Sequence, residues 1–118
     1  MKNSLYYYKA HVNEVYDGAT ITIEIDLGHH TFIKGEKITM NRINVPKMQG
    51  PNKTMGCKSR DFLCEKILGK EILIETIKDK KGKYGGYFGE IWFPEEDGEF
   101  TNINDLMVGQ GYAEYKEG

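Results

Sequence analysis

The chain has 118 residues and a formal net charge of −2, with acidic and basic side chains well mixed along it. This length predicts a single domain, 1–118, with one modest core, and the negative charge argues against a general duplex-DNA binder, which needs excess Lys and Arg to displace counterions. Because no apolar run could cross a bilayer and the N-terminus does not resemble a signal peptide, we expect a cytoplasmic protein with no membrane partner.

The N-terminal part of the chain predicts three long strands joined by turns. Leu5–Tyr16 is rich in Tyr and Val, and it ends at the turn dipeptide Asp17-Gly18. Thr20–Asp26 alternates apolar and polar residues, so its Ile face is predicted to lie in the core. Thr31–Ile43 follows the next turn and is predicted to be a third strand with a bulge near Gly35.

The remainder of the chain predicts a helix, two further strands and a short second helix. Cys57–Leu68 has the apolar spacing of a helix, and a glycine, a common C-terminal stop, follows it. Lys70–Ile77 and Tyr84–Phe93 are predicted strands, and Ile103–Val108 is a predicted short helix. The pattern indicates a mainly β protein with helices. Five strands with a helix between the third and the fourth are the arrangement of an OB-fold barrel.

Three motifs stand at the ends of these strands. Val15–Thr20 reads VYDGAT, Lys37–Lys47 reads KITMNRINVPK, and Lys83–Gly86 reads KYGG. In this order they resemble the motifs V-x-D-G-D-T, R-x-x-G-I-(D/N)-(A/T)-P-E and K-Y-G-R of the staphylococcal nuclease-like family. The resemblance covers nearly the whole chain, and it implies the five-stranded OB-fold barrel with a short C-terminal helix.

The resemblance also implies a catalytic site that this chain has lost. Members of the family cut nucleic-acid phosphodiesters with calcium held by carboxylates, a glutamate that serves the attacking water and two arginines that clamp the phosphate. At these five positions the chain has one lysine and four neutral residues: Ala19, Thr39, Asn44, Lys47 and Gly86. An alanine methyl cannot bind a cation, and a lysine protonated near neutral pH cannot act as a base.

The sequence therefore predicts a catalytically inactive nuclease-like domain with no catalytic residues, no metal site and no cofactor. Its former active-site cleft is predicted to bind a nucleotide, a cyclic oligonucleotide or a short single-stranded nucleic acid without metal. A protein that sequesters a nucleotide signal without turning it over, a nucleotide sponge, would bind in this way. Strand alternation places Arg42 on the face of Met40 and Asn44, where its charge would partly replace a lost arginine, whereas a bulge in the strand would reverse this orientation. The predicted ligand-binding residues are Asp17, Thr39, Arg42, Asn44, Lys47, Lys83, Tyr84 and Tyr112.

Simpler roles stay open for several of these residues. Asp17 opens a turn and would there accept a backbone hydrogen bond as an Asx turn. Asn44 could satisfy backbone groups, and Lys47 could be a solvated turn residue. Tyr84 and Tyr112 could pack on the barrel instead of stacking on bases.

Two other functions also stay open. One is a protein-interaction module with a vestigial cleft, whose surface would include Met48, Met55 and the acidic segment Glu95–Asp97, since an OB fold hosts many functions. The other is an active metal-dependent endonuclease with rearranged ligands, drawn from Asp17, Glu24, Asp26 or a carboxylate of a partner.

Overall fold

The computed structural model describes residues 5–81 and 87–116. Alternating isoleucines organise the sheet, and Ile21, Ile23 and Ile38 on neighbouring strands are fully buried on one face. The elements in chain order are β1 (Leu5–Asp17), β2 (Thr20–Gly28), β3 (Thr31–Met40), β4 (Ile43–Asn44), a 3-10 turn (Gly50–Asn52), α1 (Lys53–Ile67), β5 (Glu71–Lys81), β6 (Tyr87–Pro94), β7 (Phe100–Asn102), α2 (Ile103–Gly109) and β8 (Glu114–Tyr115).

The five long strands close into a barrel. The order of the main sheet is β3-β2-β1-β5-β6-β7, and β3 also pairs with β6 in parallel, through Ile38–Met40. The helix α1 lies in the chain between the third and the fourth barrel strands, and α2 follows the sheet. The predicted mainly β OB-fold barrel, with a helix between strands 3 and 4 and a short C-terminal helix, is confirmed.

A buried asparagine stabilises the seam at which the barrel closes. Asn104 is fully buried, and its Nδ2 donates to the backbone oxygens of Asn41 at 2.8 Å and Gly89 at 3.1 Å. Its Oδ1 accepts a 3.0 Å hydrogen bond from the backbone N–H of Ile91. One side chain on α2 therefore joins the end of β3 to β6.

The third strand is shorter than the sequence predicted. It ends at Met40 instead of Ile43, because Arg42 has a φ of 71°, which no β-strand residue adopts. After this turn Ile43 and Asn44 pair antiparallel with Tyr115 and Glu114. The chain therefore leaves the barrel before the segment that leads to Lys47.

Helix α1 starts at Lys53, four residues before the predicted start at Cys57. Its buried face contains the small residues Gly56 and Ser59 as well as Leu63 and Ile67. Glycine and serine are not large apolar residues, so the apolar spacing does not mark Gly56 and Ser59 as core-facing. The predicted start of the helix is therefore too late. Neither helix in the described part of the chain is long and apolar enough to cross a membrane.

Candidate nucleotide-binding cleft

The turn between β1 and β2 begins the candidate cleft. The carboxylate of Asp17 accepts a 2.9 Å hydrogen bond from the backbone N–H of Ala19, so it forms an Asx turn. Ala19 is only 8% exposed, and its carbonyl accepts a 2.7 Å hydrogen bond from the N–H of Met40. Thr20 pairs with Thr39 in the β2–β3 ladder. Two of the positions that the family uses for chemistry, 19 and 39, are therefore next to each other at one end of the barrel.

Glycine 18 allows this turn to pack against three other elements. A Cβ atom on Gly18 would lie 2.8 Å from Cβ of Ser59, 3.2 Å from a methyl of Val45 and 3.4 Å from Cε of Met107. These neighbours belong to α1, the segment after β4 and α2. The turn is thereby held against the segment that contains Asn44 and Lys47.

Helix α1 supports the backbone of Lys47 directly. A Cβ atom on Gly56 would lie 2.5 Å from the carbonyl carbon of Lys47 and closer still to its oxygen, so the two backbones are in contact. The side chain of Lys47 is exposed, and within residues 5–81 and 87–116 it makes no hydrogen bond or ion pair. Its charge is therefore available to an anionic ligand.

A second cation lies beside the position of the family's first arginine. Thr39 pairs in parallel with Phe88, so the two side chains leave the sheet on the same face. The ammonium of Lys116 lies 5.2 Å from the centre of the Phe88 ring. The backbone N–H of Lys116 also donates to the carbonyl of Arg42 at 2.8 Å. Sequence reasoning did not single out Lys116, because only the β4–β8 pairing brings the C-terminal segment here.

Arg42, whose carbonyl accepts from Lys116, has its guanidinium engaged by two carboxylates. Strand alternation placed it on the face of Met40, but Met40 is fully buried whereas the Arg42 side chain is 42% exposed. Arg42 has a φ of 71°, so the strand has ended before it and strand alternation does not determine the direction of its side chain. The guanidinium forms two hydrogen bonds to Glu90, at 2.8 and 2.7 Å, and contacts Asp105 at 3.0 Å. Glu90, and then Asp105, raise the pKa of Arg42, so two carboxylates already neutralise this cation.

Replacement of Arg42 offers a test of this role. Arg42→Gly and Arg42→Ala both lose the ion pairs, but only glycine adopts a positive φ without strain, so we expect Arg42→Gly to be more stable by about 1 kcal/mol. Urea unfolding of the two variants measures the difference. Greater stability of the alanine variant would show that the backbone at this position is not in the left-handed conformation.

Tyr112 packs on the protein and also lines a cavity beside the Lys47 loop, together with Asn44. Its ring stacks on Phe62 with centroids 4.8 Å apart, and its carbonyl accepts a 2.7 Å hydrogen bond from Ser59 Oγ. Asn44 lies across the β4–β8 pair from Glu114 and is exposed. Lys83, Tyr84 and Gly86, the remaining predicted residues, lie outside the described residues.

A cavity of about 330 Å³ adjoins the loop that contains Lys47. Asn52, Met55 and Glu114 line it beside residues of that loop, and sequence reasoning had assigned none of them to a ligand site. Asn52 and Met55 lie around the start of α1 and Glu114 lies in β8, so no local motif could have marked them together. Within the described ranges, no group of three or more His, Cys, Asp or Glu side chains is arranged to hold a metal ion.

The comparison with protein families agrees with the architecture. A model described as Staphylococcal nuclease homologue matches residues 37–117, which is more than half of the chain. A search of curated proteins finds no match. The matched segment contains the end of β3, the loop of Lys47, both helices and the barrel strands β5 and β6. The chain therefore belongs to the staphylococcal nuclease homologue family.

Proposed function

We propose that this domain binds a nucleotide, a cyclic oligonucleotide or a short single-stranded nucleic acid in its cleft, without a metal ion and without cleaving it. Such a domain would act in the cytoplasm, where tight binding without turnover would sequester a nucleotide signal. The observation that carries the proposal is the ammonium of Lys47, which has no partner among residues 5–81 and 87–116. It stands on a loop packed against α1, at the position of the family's catalytic glutamate.

The donor groups at this end of the barrel do not fit a calcium ion. Calcium takes 6–8 oxygen ligands, largely from carboxylates. Position 19 has a buried methyl, and the Oδ1 of Asp17 is engaged by a backbone N–H. Position 44 offers one neutral amide, and the ammonium of Lys47 would repel a cation. These features support a site that accepts an anion directly.

The rearranged endonuclease has weaker support. Glu24 lies four residues along β2 from Thr20, which is roughly 13 Å at ~3.3 Å per residue. It pairs with His11 and lines a different cavity, together with Asp26. A metal ion shared between Asp17 and either of these carboxylates would require this end of the barrel to rearrange.

Thermal melting tests the proposal. A ligand that binds only the folded protein adds about 2.7 kcal/mol of stability at a hundredfold excess over its Kd. We expect mononucleotides, cyclic dinucleotides or short single strands to raise the Tm, and Ca²⁺ alone to leave it unchanged. We also expect no cleavage of single-stranded DNA or RNA after long incubation with Ca²⁺, Mg²⁺ or Mn²⁺.

Charge-reversal variants locate the site. Lys47→Glu and Lys116→Glu should each weaken nucleotide binding about tenfold or more, because repulsion replaces a charge-assisted contact. Lys34→Glu is the matched control, since Lys34 is exposed near the opposite end of β3. Equal affinities of all three variants and the wild type would place the ligand elsewhere. A Tm shift with Ca²⁺ alone would restore the nuclease interpretation, and no shift with any nucleotide would favour a protein partner.

A further inference from the structure

The cavity of about 330 Å³ beside the Lys47 loop combines apolar walls with a few polar groups. The apolar walls include Val45, Pro46 and Met55. The polar side chains in the lining are Asn44, Asn52 and Glu114. In the described part of the chain, none of these three polar side chains makes a hydrogen bond or an ion pair. Apolar walls with a small number of convergent polar groups are typical of small-molecule sites.

Two of the polar side chains are held in fixed relation. Asn44 and Glu114 lie directly opposite each other in the antiparallel β4–β8 pair, so their side chains project from the same face. Directly opposite Cβ atoms are about 4.5–5.5 Å apart. An ionised carboxylate only accepts hydrogen bonds, whereas an amide both donates and accepts. The cavity therefore presents two adjacent acceptors with a donor beside them.

This pattern matches one nucleobase better than the others. Guanine presents two adjacent donors, N1–H and the 2-amino group, which fit the two oxygens of a carboxylate, and its neighbouring O6 accepts from an amide. Adenine and cytosine present one amino donor beside a ring acceptor, and uracil presents one N–H between two carbonyls. Each of these would direct a lone pair at the carboxylate or leave one of its oxygens without a donor.

We propose that this cavity is a base subsite selective for guanine, with Glu114 as the selecting residue and Asn44 as the donor to O6. The inference rests on the proposed nucleotide-binding function. Pro46 lines the cavity and Lys47 follows it directly, so the base subsite and the phosphate-binding cation belong to one loop. Van der Waals contact with Met55 and Pro46 supplies affinity, and the carboxylate supplies specificity.

Calorimetric titration with GMP, IMP, AMP and CMP tests the subsite. IMP lacks only the 2-amino group of GMP, so we expect it to bind about tenfold more weakly, and AMP and CMP more weakly still. Glu114→Gln should weaken GMP binding at least about tenfold and leave AMP binding nearly unchanged. Glu99→Gln, an exposed glutamate between β6 and β7, is the matched control.

The outcomes separate this inference from the function on which it rests. Equal affinity for all four nucleotides, or GMP binding that Glu114→Gln leaves unchanged, overturns guanine selection while nucleotide binding stands. If none of the four binds but a cyclic dinucleotide or a short single strand still raises the Tm, the guanine subsite alone is overturned. If neither these nor the mononucleotides bind, both the subsite and the proposed function are overturned. Since Glu114 is exposed and has no side-chain partner in the described residues, the variant should melt at the wild-type temperature without ligand.

Discussion

Replacement of Asn104 by alanine is expected to lower the free energy of unfolding by about 3–5 kcal/mol. The side chain is fully buried, and its loss leaves the N–H of Ile91 and the carbonyl of Asn41 without their partner. Each buried unsatisfied backbone group costs about 1–3 kcal/mol. The Gly89 carbonyl keeps a 2.8 Å hydrogen bond from the backbone of Asn41, so it adds little.

Urea unfolding followed by fluorescence of Trp92, the single tryptophan, measures this effect. Asn13→Ala is the control, because Asn13 is exposed and makes no side-chain hydrogen bond within the described residues. We expect the control to stay within about 0.5 kcal/mol of the wild type. A loss of under 1 kcal/mol for Asn104→Ala would show that the barrel seam does not depend on this side chain.

The barrel could be predicted because its signals are local. The alternation of isoleucines in Thr20–Asp26 reports a strand with one buried face, and the turn at Asp17-Gly18 marks where the strand begins. The helical spacing after Cys57 and the glycine after Leu68 likewise mark one end of α1. Each of these features depends on residues a few positions apart.

The parts that escaped prediction depend on distant residues. The β4–β8 pair joins Ile43 to Tyr115, and neither two-residue strand has a pattern of its own. The end of β3 was misplaced because Arg42 adopts a φ of 71° without being a glycine. Two carboxylates, Glu90 and Asp105, stabilise this conformation, and both come from a later part of the chain.

In the candidate site, too, local features could be predicted from the sequence and contacts between distant residues could not. The changes at Ala19 and Lys47 are visible in the sequence because each stands inside a short motif. The roles proposed for Lys116 and Glu114 can be inferred only once β8 is placed beside β4. A metal-binding residue lost from a motif is therefore easier to recognise than a cation or a carboxylate that the fold brings in from elsewhere.

Gly56→Ala is expected to destabilise the protein by about 3 kcal/mol or more, although alanine normally favours a helix interior over glycine by about 1 kcal/mol. The added Cβ atom would lie 2.5 Å from the carbonyl carbon of Lys47 and 2.9 Å from the N of Met48. These are backbone atoms, so no side-chain rotation relieves the overlap. Either α1 must move away from the loop or the loop must move.

Gly109→Ala is the matched control for this change. Gly109 ends α2, and a Cβ atom there meets nothing within 4 Å, so we expect a change between zero and a gain of about 1 kcal/mol. Urea unfolding gives both stabilities, and calorimetry with the best nucleotide gives the binding.

The overlap at Gly56 acts on the backbone of Lys47. Nucleotide affinity should therefore fall in Gly56→Ala even under conditions where this variant is fully folded. In Gly109→Ala the affinity should be unchanged. Wild-type affinity in a destabilised Gly56→Ala would mean that the ligand does not depend on the position of this loop. Lost affinity would connect the packing of α1 to the function of the cleft, since the same backbone contact would then determine both.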